Sequence, residues 1–505
     1  MDPPAEIVRI LAAVGQDHLL ENFPSLSKSE KEILVSQLLE HLSHMQHYNK
    51  IFADSMNELS SGPLHIAPPD SSDLVVPSPQ LWSRYAEVGM ELVRDGKCAV
   101  LIMAGGSGTR LGISFPKGIL VPPTRLGKSL YQIHCEKIRR VQELSHCNGK
   151  MIHLVLMLSE QTRDVSLQLF EDEDYFGLKR EQVHHFVQSS MPCFTEEGKI
   201  VLADPCNIAT APGGTGGIYS GLKNSGVLQK LMEFNVELVQ IFTVDNLLAK
   251  IGDPSFFGYS HSESVDVAVK AVPKISDHEA VGVFAKRRGK WGVVEYSEIG
   301  IEASTARNEK GERMFDCANI AIHLCSIKFL EKAANLMESY THYHVAKKKI
   351  PSSPKMVKDL HPSFQISNVL SPTIAGVKLE AFIFDIFEFS ERLRIIMVDR
   401  LEEFSAIKNA EDGAKRDTPV TATVDLHRLH TKWMHNAVRQ SGSTDLGLIL
   451  ERVLLGSPLE VEISPLVSYN GEGLEAFVGE YLEAAARPHG PQDVFVVDVP
   501  RSTKL

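Results

Sequence analysis

The sequence is short of several features that mark whole protein classes. It has no run of about 18 apolar residues, so no helix in it is expected to span a membrane. Basic charge is in deficit: 52 Lys and Arg against 64 Asp and Glu leave a formal charge of −12. Affinity for nucleic acid comes mostly from Lys and Arg neutralising phosphates, so no nucleic-acid partner is expected and any phosphate site must be local. The seven cysteines, at positions 98, 135, 147, 193, 206, 317 and 325, are odd in number and scattered, with neither Cys-x-x-Cys nor paired ligand spacing. They read as reduced core residues in a reducing compartment. The start, Met1-Asp2-Pro3-Pro4, lacks a basic flank leading into an apolar run and is unlike a signal peptide. Internal repeats and low-complexity tracts are missing too. The 35 Gly and 26 Pro show no excess that would suggest disorder or a fibre.

What remains is an ordinary globular composition, 43% hydrophobic and 23% charged. Single cores stop growing near ~250 to 300 residues, so a chain of this length is expected to form two or three domains. Three regions are read: a helical one over residues 1–85, a large α/β unit over 86–408 and a smaller carboxy-terminal domain over 409–505. Within residues 5–59 apolar residues recur at helical spacing, as at Ile33, Leu34, Val35, Leu38, Leu39 and Leu42, with Ser27 or Ser29 placed to cap a helix start. Residues 60–79, rich in Pro and Ser, read as a connecting surface segment. From Cys98 short apolar runs alternate with helical stretches, the pattern of a mostly parallel sheet with helices on both faces. Residues 98–103, 151–158 and 236–244 are the expected buried strands. Residues 128–145 form an amphipathic helix and 265–272, alternating apolar and polar, a half-buried strand. A charged loop at 409–418 precedes strand signals at 459–463 and 493–499.

Directly after the first strand comes Gly105-Gly106-Ser107-Gly108-Thr109-Arg110-Leu111-Gly112, with Pro116 and Lys117 close behind. Glycines let backbone N–H groups approach phosphate oxygens, and an Arg and a Lys can neutralise a triphosphate. A plain strand-to-helix turn would explain the glycines but not the two cations. Two rival motifs fail. A dinucleotide fingerprint from Gly106 needs a third glycine where Leu111 stands, and no acidic residue follows about 20 residues on. Gly127-Lys128-Ser129 ends like a P-loop, but that motif's opening glycine would fall at Pro122, which has no N–H to offer.

The loop resembles the nucleotidyltransferase signature of the UDP-sugar pyrophosphorylases, Gly-Gly-x-Gly-Thr-Arg-Leu-Gly running on to Pro-Lys. Further pieces are similar to the eukaryotic UDP-N-acetylglucosamine pyrophosphorylase family: Gln188 in a Phe-x-Gln context, residues 213–219, Val244-Asp245-Asn246, Val281-Gly282-Val283, residues 293–299, 319–321 and 382–387, residues 403–410 with Lys408, and residues 463–475. They stand in the family's order. The resemblance implies an α/β fold with a central Rossmann-like mixed sheet in a nucleotidyltransferase domain of the glycosyltransferase-A kind, flanked by the helical amino-terminal region and the smaller carboxy-terminal domain.

The same resemblance implies roles. Gly105, Gly106, Gly108 and Thr109 wrap the nucleotide, with Arg110, Lys117 and Lys408 as the catalytic cations on the phosphates. Lys408 has a hinge nearby that would bring it in on closure. Asp245, at the carboxyl end of an apolar strand, suits Mg²⁺ (or Mn²⁺), although an Asp after a strand is more often a helix cap or turn former. Gln188, with the backbone around Gly105, Gly106 and Gly214, reads the uracil edge. Gly282, Glu295 and Asn319 contact the hexose and its N-acetyl group, and Phe382 and Phe384 line that pocket, although aromatics at this spacing are more often core residues. Three positions depart from the family pattern: Gly213 and Thr215 stand where the animal enzymes carry Asp and Asn, and Ala318 replaces the usual Gly beside Asn319. The histidine groups at 41, 44, 47 and at 427, 430, 435 show no evident acidic or Cys partner, so no zinc site is expected.

The implied reaction condenses UTP with N-acetylglucosamine 1-phosphate to give UDP-N-acetylglucosamine and pyrophosphate. Two alternatives stay open: a UDP-glucose or broad UDP-sugar pyrophosphorylase, and an inactive nucleotide-sugar sensor suggested by the three departures. The final Thr503-Lys504-Leu505 resembles the Ser-Lys-Leu address read by the peroxisomal import receptor, while enzymes of this family commonly stay in the cytosol. Cytoplasm and a peroxisome-type organelle such as a glycosome are therefore both read from the sequence.

Overall fold

A computed structural model describes residues 2–60, 65–287, 289–352, 373–442, 459–487 and 493–499. The chain divides into two compact units, each assembled from three stretches: Met1–His65, Gln188–Leu222 and Lys332–Glu388 in a helical unit, and Ile66–Val187, Lys223–Glu331 and Phe389–Leu505 in a sheet unit.

The helical unit starts with the helices Ala5–Ala13, Lys28–Leu42 and Met45–Ser60. Ser27 caps the second with a full capping box, its hydroxyl accepting from Glu30 N–H while the Glu30 carboxylate accepts from Ser27 N–H. Such a cap is worth about 1 kcal/mol. The buried stripe Leu34, Val35 and Leu38 shares one core with Ile7, Leu11, Ile51, Phe194, Ile200, Val377 and Leu379. The strands His344–Pro351 and Thr373–Glu380 pair antiparallel along their full length.

The sheet unit holds an eleven-stranded mixed sheet. Its strands are β1 (Ile66–Ala67), β2 (Leu74–Val75), β3 (Cys98–Met103), β4 (His153–Leu158), β5 (Val183–Val187), β6 (Leu238–Thr243), β7 (Val267–Pro273), β8 (Val283–Arg287), β9 (Lys290–Val294), β10 (Cys317–Ser326) and β11 (Leu393–Met397). The spatial order is β2-β11-β7-β10-β6-β3-β4-β5, and β8 branches off with β1, β9 and β10 as partners. Strands β6, β3, β4 and β5 run parallel to their neighbours, as do β7, β11 and β2, while β10 runs antiparallel between β6 and β7. Every residue of β3 and β4 is buried, because helices cover both faces and the sequence answers with unbroken apolar runs. Thus the segment read as a plain connection carries two short strands, β1 and β2.

One strand corrects its sequence reading. Residues 265–272 alternate as if half-exposed, yet β7 is buried from Val267 through Val272. The polar position that gave the alternation, Lys270, is 0% exposed and neutralised by Asp253 and Glu403. The carboxy-terminal part packs the helix Pro419–Gln440 on the parallel pair Glu460–Ile463 and Val494–Val497, with Met434, Val461, Ile463 and Tyr481 in a core of their own. All seven cysteines are free thiols, six of them buried. Among the described residues no helix is long and apolar enough to cross a membrane.

Candidate active site

Parallel strands deliver their carboxyl ends to one edge of a sheet, and in open α/β sheets ligands bind there. Strand β3 ends at Met103, and the glycine loop follows. The loop closes on itself through the Gly108 carbonyl, which accepts from Leu111 and Ile113 N–H, and Ser107 bridges to Pro116. Gly106, Thr109 and Arg110 are exposed, Gly105 is half-buried and Gly108 is buried. No ion-pair partner for Arg110 stands among the described residues.

Beside β3, strand β6 ends at Thr243 and places Asp245. The Lys117 ammonium donates to Asp245 Oδ2 at 2.8 Å and to the Ile407 carbonyl at 3.1 Å. Burial alone would raise the Asp245 pKa, but the positive charges of Lys117 and Lys408 outweigh it and hold the carboxyl below its ordinary value. Oδ1 of the same carboxylate is buried with no hydrogen-bond partner among the described residues. An anionic oxygen left open in a buried place fits a metal that needs few protein ligands. No cluster of three or more His, Cys, Asp or Glu suited to a metal stands among the described residues. Behind the strand, buried His134 donates from Nε2 to the Val244 carbonyl, and burial pushes its pKa down to about 3, so it stays neutral.

Lys408 is held by a feature that sequence reading missed. The segment from Glu403 to Ile407 lies along Asp245 to Leu247: Asn246 Nδ2 donates to the Glu403 carbonyl, Ser405 N–H to Asn246 Oδ1, Leu247 N–H to the Ser405 carbonyl, and Ile407 N–H to the Asp245 carbonyl. On its far side Lys408 N–H donates to the Asp417 carbonyl. The only sequence trace of this clamp is Asn246, whose amide can donate and accept at once. The Lys408 charge acts on the Asp245 carboxylate, and its ammonium lies 5.9 Å from the Phe404 ring centroid.

The three sheet-unit residues expected to meet the sugar also come together. Asn319 N–H donates to the Gly282 carbonyl at 2.8 Å. A Cβ on Gly282 would sit 2.7 Å from Val293 Cγ1 and 2.9 Å from Glu295 Oε1, so only glycine leaves the Glu295 carboxylate where it is. The β7–β10 ladder slips between Lys270 and Ala271, opposite Ile322 and Asn319. Ala321 takes φ +54 at that bulge, with its N–H donating to Asn319 Oδ1. Bulges re-aim side chains and gather at active sites.

The remaining candidates belong to the helical unit. Gln188 is buried and Gly214 has φ +92, where a Cβ would lie 2.2 Å from the Ala381 carbonyl oxygen. The Phe382 and Phe384 rings lie 5.2 Å apart, Phe384 buried and Phe382 half-buried, and His344 packs on Phe382 at 4.6 Å. Asp385 holds this group by accepting from Phe382 N–H and pairing with His344 Nε2.

One histidine expectation is corrected. His427 does have acidic partners: Nδ1 lies 2.9 Å from Glu460 and Nε2 3.0 Å from Glu462, both supplied by a strand more than 30 residues away. Lys128 of the P-loop-like tripeptide is a buried structural cation bonded to Glu136 and Ser464, and Ser129 caps the helix Leu130–Leu144.

A phosphate-type loop at the end of β3, with two lysines and a buried carboxylate at the end of β6, defines a nucleotidyltransferase site on an α/β sheet. The chain belongs to the UTP–glucose-1-phosphate uridylyltransferase family, whose model matches residues 43–444. Within that family it is 32% identical to the UDP-N-acetylglucosamine pyrophosphorylase of Saccharomyces cerevisiae, covering 94% of this chain and 97% of the relative. It is 34% identical to UDP-N-acetylglucosamine diphosphorylase 2 of Arabidopsis thaliana, over 94% and 91%. The crystal structure of the uridine diphosphate N-acetylglucosamine pyrophosphorylase from Trypanosoma brucei in complex with inhibitor superposes with a TM-score of 0.84 at 35% identity, covering 99% of both chains.

Proposed function

We propose that this protein is a uridylyltransferase that condenses UTP with N-acetylglucosamine 1-phosphate. A phosphate oxygen of the sugar phosphate attacks the α-phosphorus of UTP, the bond from that phosphorus to the bridging oxygen breaks, and pyrophosphate leaves with the electron pair. UDP-N-acetylglucosamine is the other product, and no covalent enzyme intermediate is needed. The observation that carries the reading is the Lys117–Asp245 pair, which also grips the Ile407 carbonyl just before Lys408, next to the glycine loop.

Bringing two anions together is the main obstacle, so positioning and charge neutralisation supply most of the catalysis. Arg110 and Lys117 neutralise the triphosphate, and Lys408 stabilises charge that builds on the phosphates as the bond breaks. Asp245 Oδ1 would hold Mg²⁺ (or Mn²⁺), which when bound adds positive charge at the phosphates. Gly282, Glu295 and Asn319 take the hexose, the amide of Asn319 facing the acetamido group. In the helical unit, Gln188 and Gly214 keep their proposed part in base recognition and Phe382 and Phe384 theirs as apolar lining.

The test is pyrophosphate release over a panel of triphosphates and of N-acetylglucosamine, N-acetylgalactosamine and glucose 1-phosphates, with and without chelator. Preference for UTP with the acetylated glucosamine substrate, lost with chelator, supports the reading. No turnover with any pair overturns it. The Thr503-Lys504-Leu505 address lies outside the described residues and is proposed for import into a peroxisome-type organelle. A fluorescent reporter ending in the last ten residues gathers in organelles if that holds, and a diffuse signal identical to that of a copy lacking Leu505 refutes it.

A further inference from the structure

Lys270 is an unusual residue to find in the middle of a sheet. It sits on β7 with a side chain 0% exposed, and its ammonium donates to Asp253 Oδ2 at 2.6 Å and Glu403 Oε2 at 2.5 Å, over the face of the Phe256 ring. Burial of a lone ammonium is costly and would lower its pKa, but the two carboxylates outweigh burial and raise it, so the ammonium keeps its charge. A buried ion group is weak evidence for stability, since apolar replacements often do as well; its better-attested use is to fix one arrangement among several.

The two carboxylates lead to different places. Asp253 caps the helix Pro254–Ser262, its Oδ1 accepting from Ser255 N–H. Glu403 opens the segment that ends in Lys408. Its carbonyl accepts from Asn246 Nδ2, Asn246 Oδ1 accepts from Ser405 N–H, and the ladder continues to the Ile407 carbonyl that Lys117 grips. One buried cation on the central sheet is therefore connected, through Glu403 and Asn246, to both lysines and the carboxylate proposed to work on the phosphates.

We infer that Lys270 and Glu403 are positioning residues for the uridylyl transfer, holding the 403–408 segment in the one register that sets Lys408 and the Ile407 carbonyl against Asp245 and Lys117. The inference rests on the proposed function. It accounts for the placing of a full charge in an otherwise apolar strand interior: an apolar pair would fill the space but would not select a register, because hydrophobic contact is not directional.

The experiment compares two isosteric changes that each remove one carboxylate charge from Lys270. In Glu403→Gln, kcat at saturating substrates should fall by about tenfold to hundredfold, because ångström-scale misplacement of a catalytic group costs that much. Its KM values should stay within about threefold, since the groups that bind both ground states remain. Asp253→Asn, matched for loss of melting temperature, should keep kcat within about twofold of the wild type, as its helix leads away from the phosphates. Lys270→Arg, which keeps the charge, should restore most of the rate that Lys270→Met loses. Equal kcat losses in Glu403→Gln and Asp253→Asn would show a merely structural triad and overturn the inference. If Glu403→Gln does not fold, Asn246→Ala cuts the next link with the triad intact, and unchanged kcat in that variant overturns it equally. Wild-type turnover in the same assay keeps the two readings apart, because only its absence counts against the uridylyltransferase itself.

Discussion

Replacing Lys117 by Met separates what the Lys117–Asp245 pair does for stability from what it does for the reaction. The ammonium lies 2.8 Å from Asp245 Oδ2 and the side chains are 16% and 11% exposed. Removing one partner of a buried pair costs about 3–5 kcal/mol, because the other charge is left uncompensated. Two features pull this case to the low end. Residual exposure screens the carboxylate, and Lys408 supplies a second positive charge that acts on it. The expected loss for Lys117→Met is therefore about 3 kcal/mol. Adding Asp245→Asn removes the stranded charge, so the double variant should recover roughly 0.5–3 kcal/mol relative to the sum of the single changes. Turnover should move the other way. Lys117→Met should lose roughly 10² to 10³ in kcat, the usual cost of deleting one preorganised donor to developing charge. The double variant should lose more, since Oδ1 becomes a neutral amide oxygen or an NH₂ group. Calorimetric midpoints and pyrophosphate release together check this. A double variant whose loss equals the sum of the two single losses would refute the coupled pair, and near-normal turnover of Lys117→Met would remove Lys117 from the site.

Asn319→Ala should cut kcat/KM for N-acetylglucosamine 1-phosphate more than for glucose 1-phosphate, because only the acetylated sugar loses an amide partner, and equal losses would exclude that role. Gly282→Ala should raise KM for the sugar phosphate with little change for UTP, since its Cβ would meet Glu295 Oε1 at 2.9 Å; unaltered sugar kinetics would disconnect Glu295 from the hexose. His427 gives a pH signature. Burial lowers its pKa, Glu462 and Glu460 together outweigh that, and the folded value lies above 6.5. A raised value means stability that is fully present below 6.5 and lost as pH rises through the folded pKa. Melting curves of wild type and His427→Gln should thus converge from pH 6.5 upward, and parallel curves would refute the pairing of His427 with Glu460 and Glu462.

The sequence showed most clearly what is continuous along the chain. Strand β3 was legible residue for residue and β6 within two residues at its start, because strands buried on both faces must be apolar throughout. Strand β7 was misread for the same reason in reverse. A buried lysine looks like a solvent-facing one until its neutralising partners, 17 and 133 residues away, are known. The reversal of β10 between β6 and β7 leaves no mark in composition. At the site, Lys117 and Asp245 each announced themselves by motif, but their pairing spans 128 residues and the clamp from Asn246 to Glu403 spans 157. Sequence order cannot show such links, and they are what place Lys408.

The three departures from the family pattern raised the thought of a dead sensor, and the surroundings of each argue against that reading. A Cβ on Gly213 would press to 3.2 Å from Met191 Cγ, so the small residue suits the packing it meets. Thr215 keeps a polar tether, its hydroxyl accepting from Ile383 N–H at 3.1 Å. Two backbone bonds flank that tether, Ala381 N–H to the Gly213 carbonyl and Gly216 N–H to the Ala381 carbonyl, so the turn carrying Gly214 is fixed by atoms that no substitution at 213 alters. Ala318 is fully buried in β10, paired with Val272 on one side and Val283 on the other, one residue before the bulge at Asn319. A methyl group there lies within the sheet's own packing and leaves the Asn319 to Gly282 hydrogen bond in place. Within the sheet unit, Ala318 therefore removes no charge, donor or carboxylate from the group around Asp245.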